Sequence, residues 1–212
     1  MTSTSPPVPS LPPASALRRY SSIPPDFLSP IRHYHADEKA QNLVFDAWEA
    51  SSINQKFKLC RKALDIFPFS VDAFNCMGDL YRNNFQDEGD AALEKAEQAY
   101  KIAIDAANLL WPELKEQESI EWGHIEHRPF LRAHHGLGCV QDARGKAKES
   151  AEKFRFLLRV NPNDNQGVRT LFFYNLISLE NTRRPRISPN GIRMGEIAQK
   201  RIFSSDLLSL IS

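Results

Sequence analysis

The chain has 212 residues, of which 42% are hydrophobic, so it is long enough for one packed domain with tails. Its 27 Lys and Arg residues balance 26 Asp and Glu residues, and the formal net charge of +1 argues against a nucleic-acid-binding protein. No apolar run approaches the roughly 18 residues that a membrane-spanning helix requires, so we expect a soluble protein without membrane contact.

Residues 1–30 are rich in Pro and Ser and contain one acidic residue, Asp26, a composition that predicts a disordered tail. The segment Arg18-Arg19-Tyr20-Ser21 resembles a mitochondrial processing site, but the prolines interrupt any amphipathic helix long enough for import. Three widely separated cysteines lack metal-ligand or redox spacing, which suits a reducing compartment. We therefore expect a cytoplasmic protein, with a mitochondrial location as the alternative.

From residue 37 onward, apolar residues recur at helical spacing. The pattern predicts six helices at about residues 37–50, 54–67, 71–83, 93–110, 129–143 and 146–160. A seventh is expected to be capped by Asn163, with Gln166 three residues later, and to end near Glu180. The loop between the fifth and sixth helices contains Gly145, a predicted glycine cap.

Two of these helices carry specific expectations for burial. The first should bury one stripe, namely Ala40, Leu43, Val44, Ala47 and Trp48. On the fourth, Glu97 and Lys101 are expected to be an exposed ion pair four residues apart.

Two turns that end in Pro68 and Pro162 point to a repeat of about 34 residues. Counting from them places Gly78 and Gly138 where the tetratricopeptide repeat has its glycine. The repeat's other positions match Phe74, Met77, Tyr81, Ala96, Tyr100, Ala103, Leu137, Gly145 and Phe154. Over residues 37–180 the chain therefore resembles tetratricopeptide-repeat proteins. The segments Arg128-Pro129-Phe130-Leu131-Arg132 and Asn161 to Arg169 resemble an uncharacterised subgroup of that family.

The resemblance implies an all-α fold in which antiparallel helix pairs stack into a short right-handed superhelix. The helical domain is expected to span residues 31–180, with repeats at about 37–68, 70–108 and 131–164 and a partial repeat at 165–180. Residues 181–194 are expected to form a basic linker. Residues 195–212 would form a C-terminal helix that caps the array or, alternatively, docks to another protein.

Such arrays bind partners on the concave face formed by the first helix of each repeat, so we expect an adaptor or scaffold, without a cofactor and without enzymatic activity. The side chains expected to contact a partner protein or peptide are Asn75, Asp79, Arg132, His135 and Arg169. An acidic and apolar peptide would suit the arginines on this face. A further alternative is that the end repeats stack on another chain.

Some family members grip a C-terminal carboxylate with Lys, Asn and Arg. Gln41, Phe45 and Gly136 occupy three of those positions here, so this clamp is not expected. A second function class remains open, because His124, His127, His134 and His135 crowd into a short segment. They predict, as the alternative, a metal-binding protein or metal-dependent enzyme.

Overall fold

A computed structural model describes the backbone of residues 30–183 and the side chains of residues 37–180 except Gln86. Between residues 30 and 183 the fold is all-α, with seven α-helices and no strand. The helices are α1 (Pro30–Glu49), α2 (Ile53–Ile66), α3 (Val71–Asn84), α4 (Asp90–Leu110), α5 (Arg128–Ala143), α6 (Ala147–Val160) and α7 (Val168–Arg183). The predicted fold class is thus confirmed for this part of the chain.

The first six helices form three consecutive pairs, α1 with α2, α3 with α4 and α5 with α6. Because short loops join the members of each pair, the two helices run antiparallel. The first helices of the pairs also contact one another in order, α1 with α3 and α3 with α5. This places one helix of each pair along a common side of the molecule.

Glycines on α3 and α5 make room for a tyrosine from α4. A Cβ atom at Gly78 would lie 2.7 Å from the Tyr100 ring, and one at Gly136 would lie 2.2 Å from it. The ring is fully buried, and its hydroxyl donates a 2.7 Å hydrogen bond to Asp79. Two helices can therefore lie against the same aromatic ring only because neither carries a side chain there.

The connection between α4 and α5 contributes to the core, although its composition is polar. Leu114 and Ile120 are both buried within it. The amide of Ile120 donates a 2.6 Å hydrogen bond to the carbonyl of Val160 at the end of α6. Residues 111–127 thus connect the second helix pair to the third by packing as well as by sequence.

Two predicted helix starts are wrong. α1 begins at Pro30, seven residues before the predicted Asp37, because a proline at the first helical position needs no amide partner. α7 begins at Val168, and its cap is Asp164 rather than Asn163. The Asp164 carboxylate accepts the amides of Val168 and Arg169 at 2.6 and 3.1 Å.

Other local predictions can be compared directly with the structure. Gly145 has a φ of +73°, and the amide of Lys146 donates to the carbonyl of Gln141, so the glycine cap is confirmed. Trp48, predicted to be buried, is instead exposed, and Glu97, predicted to be exposed, is buried. In both cases the side chain contacts a residue from another part of the chain, Arg132 for Trp48 and Arg144 for Glu97, which helical periodicity within one segment does not predict.

The predicted tail, most of the predicted basic linker and the predicted C-terminal helix at 195–212 lie outside the described residues. The first three residues of that linker, 181–183, belong to α7. Among the described helices, none has the length and apolar character needed to cross a bilayer.

Candidate functional site

A cleft of about 380 Å³ lies between α1, α3 and α5. The end of α4 and the 3₁₀ turn Ile125–His127 complete its walls. Pockets that bind small ligands span roughly 300–1,000 Å³, so this one has room for a few side chains of a partner. It is bounded by the helices that lie along the common side of the three pairs.

One face of α1 forms the first wall, with Asp37, Gln41, Phe45 and Trp48. These residues are three or four positions apart, so they point to the same side of the helix. The adjoining face of α1 packs in the core through Ala40, Val44 and Ala47. α1 thus has a core face of small apolar residues and a cleft face that carries both polar and aromatic side chains.

The floor of the cleft is organised by one buried carboxylate, Asp72 on α3. Its oxygens accept hydrogen bonds from Gln41 Nε2 at 3.2 Å, Asn75 Nδ2 at 3.0 Å and Arg132 Nε at 3.0 Å. Arg132 Nη2 also donates to the second Asp72 oxygen. Asp72 thus ties together α1, α3 and α5.

Arg132 links this floor to the aromatic wall. Its guanidinium carbon lies 5.6 Å from the centroid of the Trp48 ring, and that ring is 5.5 Å from Phe45. Phe45 is 47% exposed, Trp48 40% and Ile125, on the opposite rim, 67%. Three large apolar side chains therefore face solvent around one cleft.

Asp37, on the α1 wall of the cleft, differs from Asp72 in its hydrogen bonding. Burial, with a smaller contribution from the charge of Asp72, raises the pKa of Asp37 to about 6. Among the described side chains, none forms a hydrogen bond or an ion pair with Asp37. Within the described part of the chain, the cleft thus holds one desolvated carboxylate without a cationic partner.

Of the five predicted partner-binding residues, Arg132 lines the cleft and Asn75 bonds the Asp72 carboxylate at its floor. Asn75 is buried, and its amide nitrogen donates to Asp72 and, at 2.9 Å, to the carbonyl of Pro129. Arg132 is half-buried and bonded to Asp72. The structure therefore gives Asn75 a role in joining α3 to α5 and gives Arg132 a place in the cleft wall.

Two others, Asp79 and His135, lie in a second polar cluster one turn or more further along α3 and α5. Asp79 accepts hydrogen bonds from Tyr100 and, at 3.3 Å, from Arg82, while His135 Nε2 lies 3.8 Å from Cys139 Sγ. Burial raises the pKa of the Cys139 thiol and lowers the pKa of His135. This Cys–His pair therefore lacks the thiolate that a cysteine nucleophile requires.

The fifth residue, Arg169, lies apart from both groups. Its Nη2 donates to the carbonyl of Pro162, and its Nη1 lies 3.9 Å from Asp164. The side chain thus closes the turn before α7. Neither Arg132 nor Arg169 is a cation without a partner, which removes the basis for expecting an acidic peptide.

The four clustered histidines do not converge on one point. His124 and His127 have ring centroids 5.5 Å apart, and His124 lies between Glu121 and Glu126 at 3.6 and 3.5 Å. His134 instead packs on Phe156 in the core, where burial lowers its pKa to about 3. No group of three or more potential metal ligands occurs within the described residues.

The sequence pattern did not identify Asp37, Phe45, Trp48 or Ile125 as site residues. A signal was present on α1, because Phe45 and Trp48 lie beside the buried alanine stripe rather than within it. The position of Ile125 follows from a non-repeat turn, which no repeat register locates.

No protein-family model, no curated protein and no solved structure matches the chain.

Proposed function

We propose that the protein is an adaptor or scaffold that binds a peptide or a partner protein in the cleft between α1, α3 and α5. The observation that carries this proposal is the exposure of Phe45, Trp48 and Ile125 around a single cleft. Large apolar side chains exposed together mark interaction surfaces, whereas singly exposed ones need no explanation. Aromatic side chains are also the residues most enriched among those that dominate binding energy.

A tetratricopeptide-like stack is the arrangement that we propose for the three helix pairs. The contacts of α1 with α3 and of α3 with α5 favour it, since the first helices of successive repeats line the concave face of such stacks. Gly78 and Gly138, at the glycine positions of two repeats, lie against Tyr100 and Phe154 of the following helices. A solvent-facing cleft between first helices then corresponds to part of a concave binding surface.

The role of a chaperone carboxylate clamp is not part of the proposal. At two of the clamp positions the side chains make other contacts, since Gln41 donates a hydrogen bond to Asp72 and the Phe45 ring packs against Trp48. Gly136 lies against the Tyr100 ring, where no cationic side chain fits.

Affinity capture from a cell lysate with matched variants tests the proposal. The cleft variant is Phe45→Ala with Trp48→Ala, and the control is Leu109→Ala with Tyr174→Ala, which removes comparably exposed apolar groups outside the cleft. We expect the proteins enriched by the unmodified chain to be lost with the cleft variant and kept with the control. Equal capture by the cleft variant, with an unchanged helical circular dichroism spectrum, would place the binding surface elsewhere.

A further inference from the structure

Among the described residues, five ionisable side chains line the cleft, three acidic and two basic: Asp37, Asp72 and Glu126, with Arg128 and Arg132. The two arginines already have partners within the protein. Arg132 is bonded to Asp72. Arg128 donates to the carbonyl of Trp122 at 2.9 Å, and its guanidinium lies 4.8 Å from the centroid of the Trp122 ring. The balance of charge among these described side chains is therefore negative.

Of the three acidic side chains, Asp37 is the one without a basic partner among the described residues, since Asp72 bonds Arg132 and Glu126 lies 3.5 Å from His124. The Asp37 side chain is largely removed from water, which disfavours its ionised form and raises its pKa to about 6. A cation brought next to it would restore the interaction energy that burial removes. A carboxylate left in this state lowers stability, so its presence at the wall of an open cleft points to a ligand rather than to packing.

The aromatic wall of the cleft begins about 12 Å along α1 from Asp37, at a rise of about 1.5 Å per residue, so it suits the residues that flank a cationic side chain. Phe45 and Trp48 follow Asp37 along the same face of α1, at two and three further turns. An extended peptide advances about 3.3 Å per residue and its side chains extend further, so apolar residues next to the cation in sequence can reach these rings.

Building on the proposed adaptor function, we propose that the cleft accepts a lysine or arginine side chain from an apolar peptide segment of the partner. The charged end lies at Asp37, and the flanking apolar residues lie against Phe45, Trp48 and Ile125. An acidic peptide would have to approach Asp37 and Glu126, while the cations that could receive it already bond within the protein. Charge complementarity thus selects the cationic partner.

Three capped peptides test this inference with the full chain: acetyl-Phe-Arg-Leu-amide and the same peptide with citrulline or glutamate in place of arginine. Citrulline has the shape of arginine without its charge, so it separates charge from apolar contact. Binding is followed through the indole N–H signals of Trp48 and Trp111, two residues that line the cleft. We expect the arginine peptide to bind at least about tenfold more tightly than the citrulline peptide, since each 1.4 kcal/mol is a tenfold change.

Asp37→Asn is the variant that assigns this preference to one residue, and Asp46→Asn, an exposed aspartate on the same helix, is its control. We expect Asp37→Asn to reduce the preference for arginine over citrulline to about twofold or less and Asp46→Asn to leave it unchanged. Equal binding of the arginine and citrulline peptides to the unmodified chain would overturn the inference. Tighter binding of the glutamate peptide, or an absence of binding by all three, would do so as well.

The two levels of the proposal fail in different ways. If the cation preference is absent but the Phe45 and Trp48 variant still loses its captured proteins, only the inference about charge is wrong. If that variant keeps its captured proteins, the proposed binding surface itself is wrong.

Discussion

Two carboxylates of similar chemistry lie in very different surroundings, and the contrast separates a structural region of this protein from a candidate binding region. Glu97, on α4, is 2% exposed and receives Lys101 at 2.7 Å, Arg144 at 2.6 Å and Lys146 at 2.7 Å. These partners outweigh burial and lower the pKa of Glu97 to about 2. Asp37, in the cleft, has no described cation beside it, and its pKa is raised to about 6.

The difference shows how burial alone fails to indicate what a carboxylate does. At Glu97 the surrounding cations come from α4 itself and from the turn between α5 and α6, so the charge holds the second helix pair to the third. At Asp37 burial acts without compensation from any described cation. Compensated charge stabilises the fold, whereas uncompensated charge in an open cleft is available to a ligand.

The largest expected effect is at Glu97. Glu97→Ala leaves three cations without their shared partner and should lower the free energy of unfolding by about 3 kcal/mol. Chemical denaturation at pH 7 measures this change. A loss below about 0.5 kcal/mol, the size of an ordinary surface substitution, would contradict the structural role assigned to this residue.

The pH dependence of that loss has a definite sign. Because the folded-state pKa of Glu97 lies below its usual value of 4.5, its stabilising contribution is complete above about pH 4.5. It decreases as the pH falls toward 2. The unmodified chain and Glu97→Ala should therefore approach each other in stability in acid, and a constant difference would rule out ion pairing as the cause.

Asp72 is expected to have the next largest effect. Asp72→Asn keeps the shape of the side chain but removes the charge that bonds Arg132, and we expect a loss of about 2 kcal/mol. Because Asp72 also orders Gln41 and Arg132 at the cleft, the indole signal of Trp48 should shift. An unchanged Trp48 signal would contradict the expectation that Asp72 positions the aromatic wall through Arg132.

Replacing Asp37 should change the free energy of unfolding in the opposite direction from replacing Asp72. The raised pKa of Asp37 means that ionisation opposes folding, so its contribution to stability is complete below about pH 4 and is lost as the pH rises through about 6. Two pKa units set a bound near 3 kcal/mol, and after allowance for partial exposure we expect Asp37→Asn to stabilise the protein by about 1 kcal/mol at pH 7.5.

Thermal unfolding of both proteins between pH 4 and pH 7.5 checks this prediction. The other charged groups of the cleft, Asp72, Glu126, Arg128 and Arg132, are common to both proteins, so the difference between the curves reports Asp37. It should vanish near pH 4. Destabilisation at pH 7.5 would mean that Asp37 is compensated within the fold and is not available to a ligand.

The smallest effect is expected at Lys101, the most exposed cation around Glu97. Its side chain is 55% exposed, and solvent screens its interaction. Lys101→Ala should lower the free energy of unfolding by about 0.3 kcal/mol, as is usual for pairs four residues apart on a helix. A loss comparable to that of Glu97→Ala would show that Lys101 alone, rather than the three cations together, stabilises the carboxylate.

Most of the fold could be predicted from the sequence, because the patterns that specify each helix lie within that helix and its flanking residues. Helical periodicity located all seven helices, and a glycine after α5 indicated the turn at Gly145. The start of α1 was missed because Pro30 appeared to belong to the proline-rich tail. A proline at the first position of a helix is compatible with either interpretation.

The site was much harder to predict from the sequence, because its residues meet only in the folded chain. Asn75 occupies a face position that a repeat register assigns to partner binding, yet α5 buries it together with its neighbour Asp72. Trp48 was assigned to the core because it continues the helical stripe of Ala40, Val44 and Ala47, and Glu97 to the surface because it lies four residues before Lys101. In each case the decisive contact comes from a residue at least 40 positions away, which no local pattern reveals.

The most direct test of the central claim locates the ligand on the molecule. The arginine peptide is extended by a C-terminal cysteine that carries a thioether-linked nitroxide, and paramagnetic broadening is recorded on the isotopically labelled full chain. We expect the strongest broadening at the indoles of Trp48 and Trp111 and at the amides of Gln41 and Arg132, all on the cleft. Broadening confined to α2 and α6 would contradict the account, because neither helix lines the cleft.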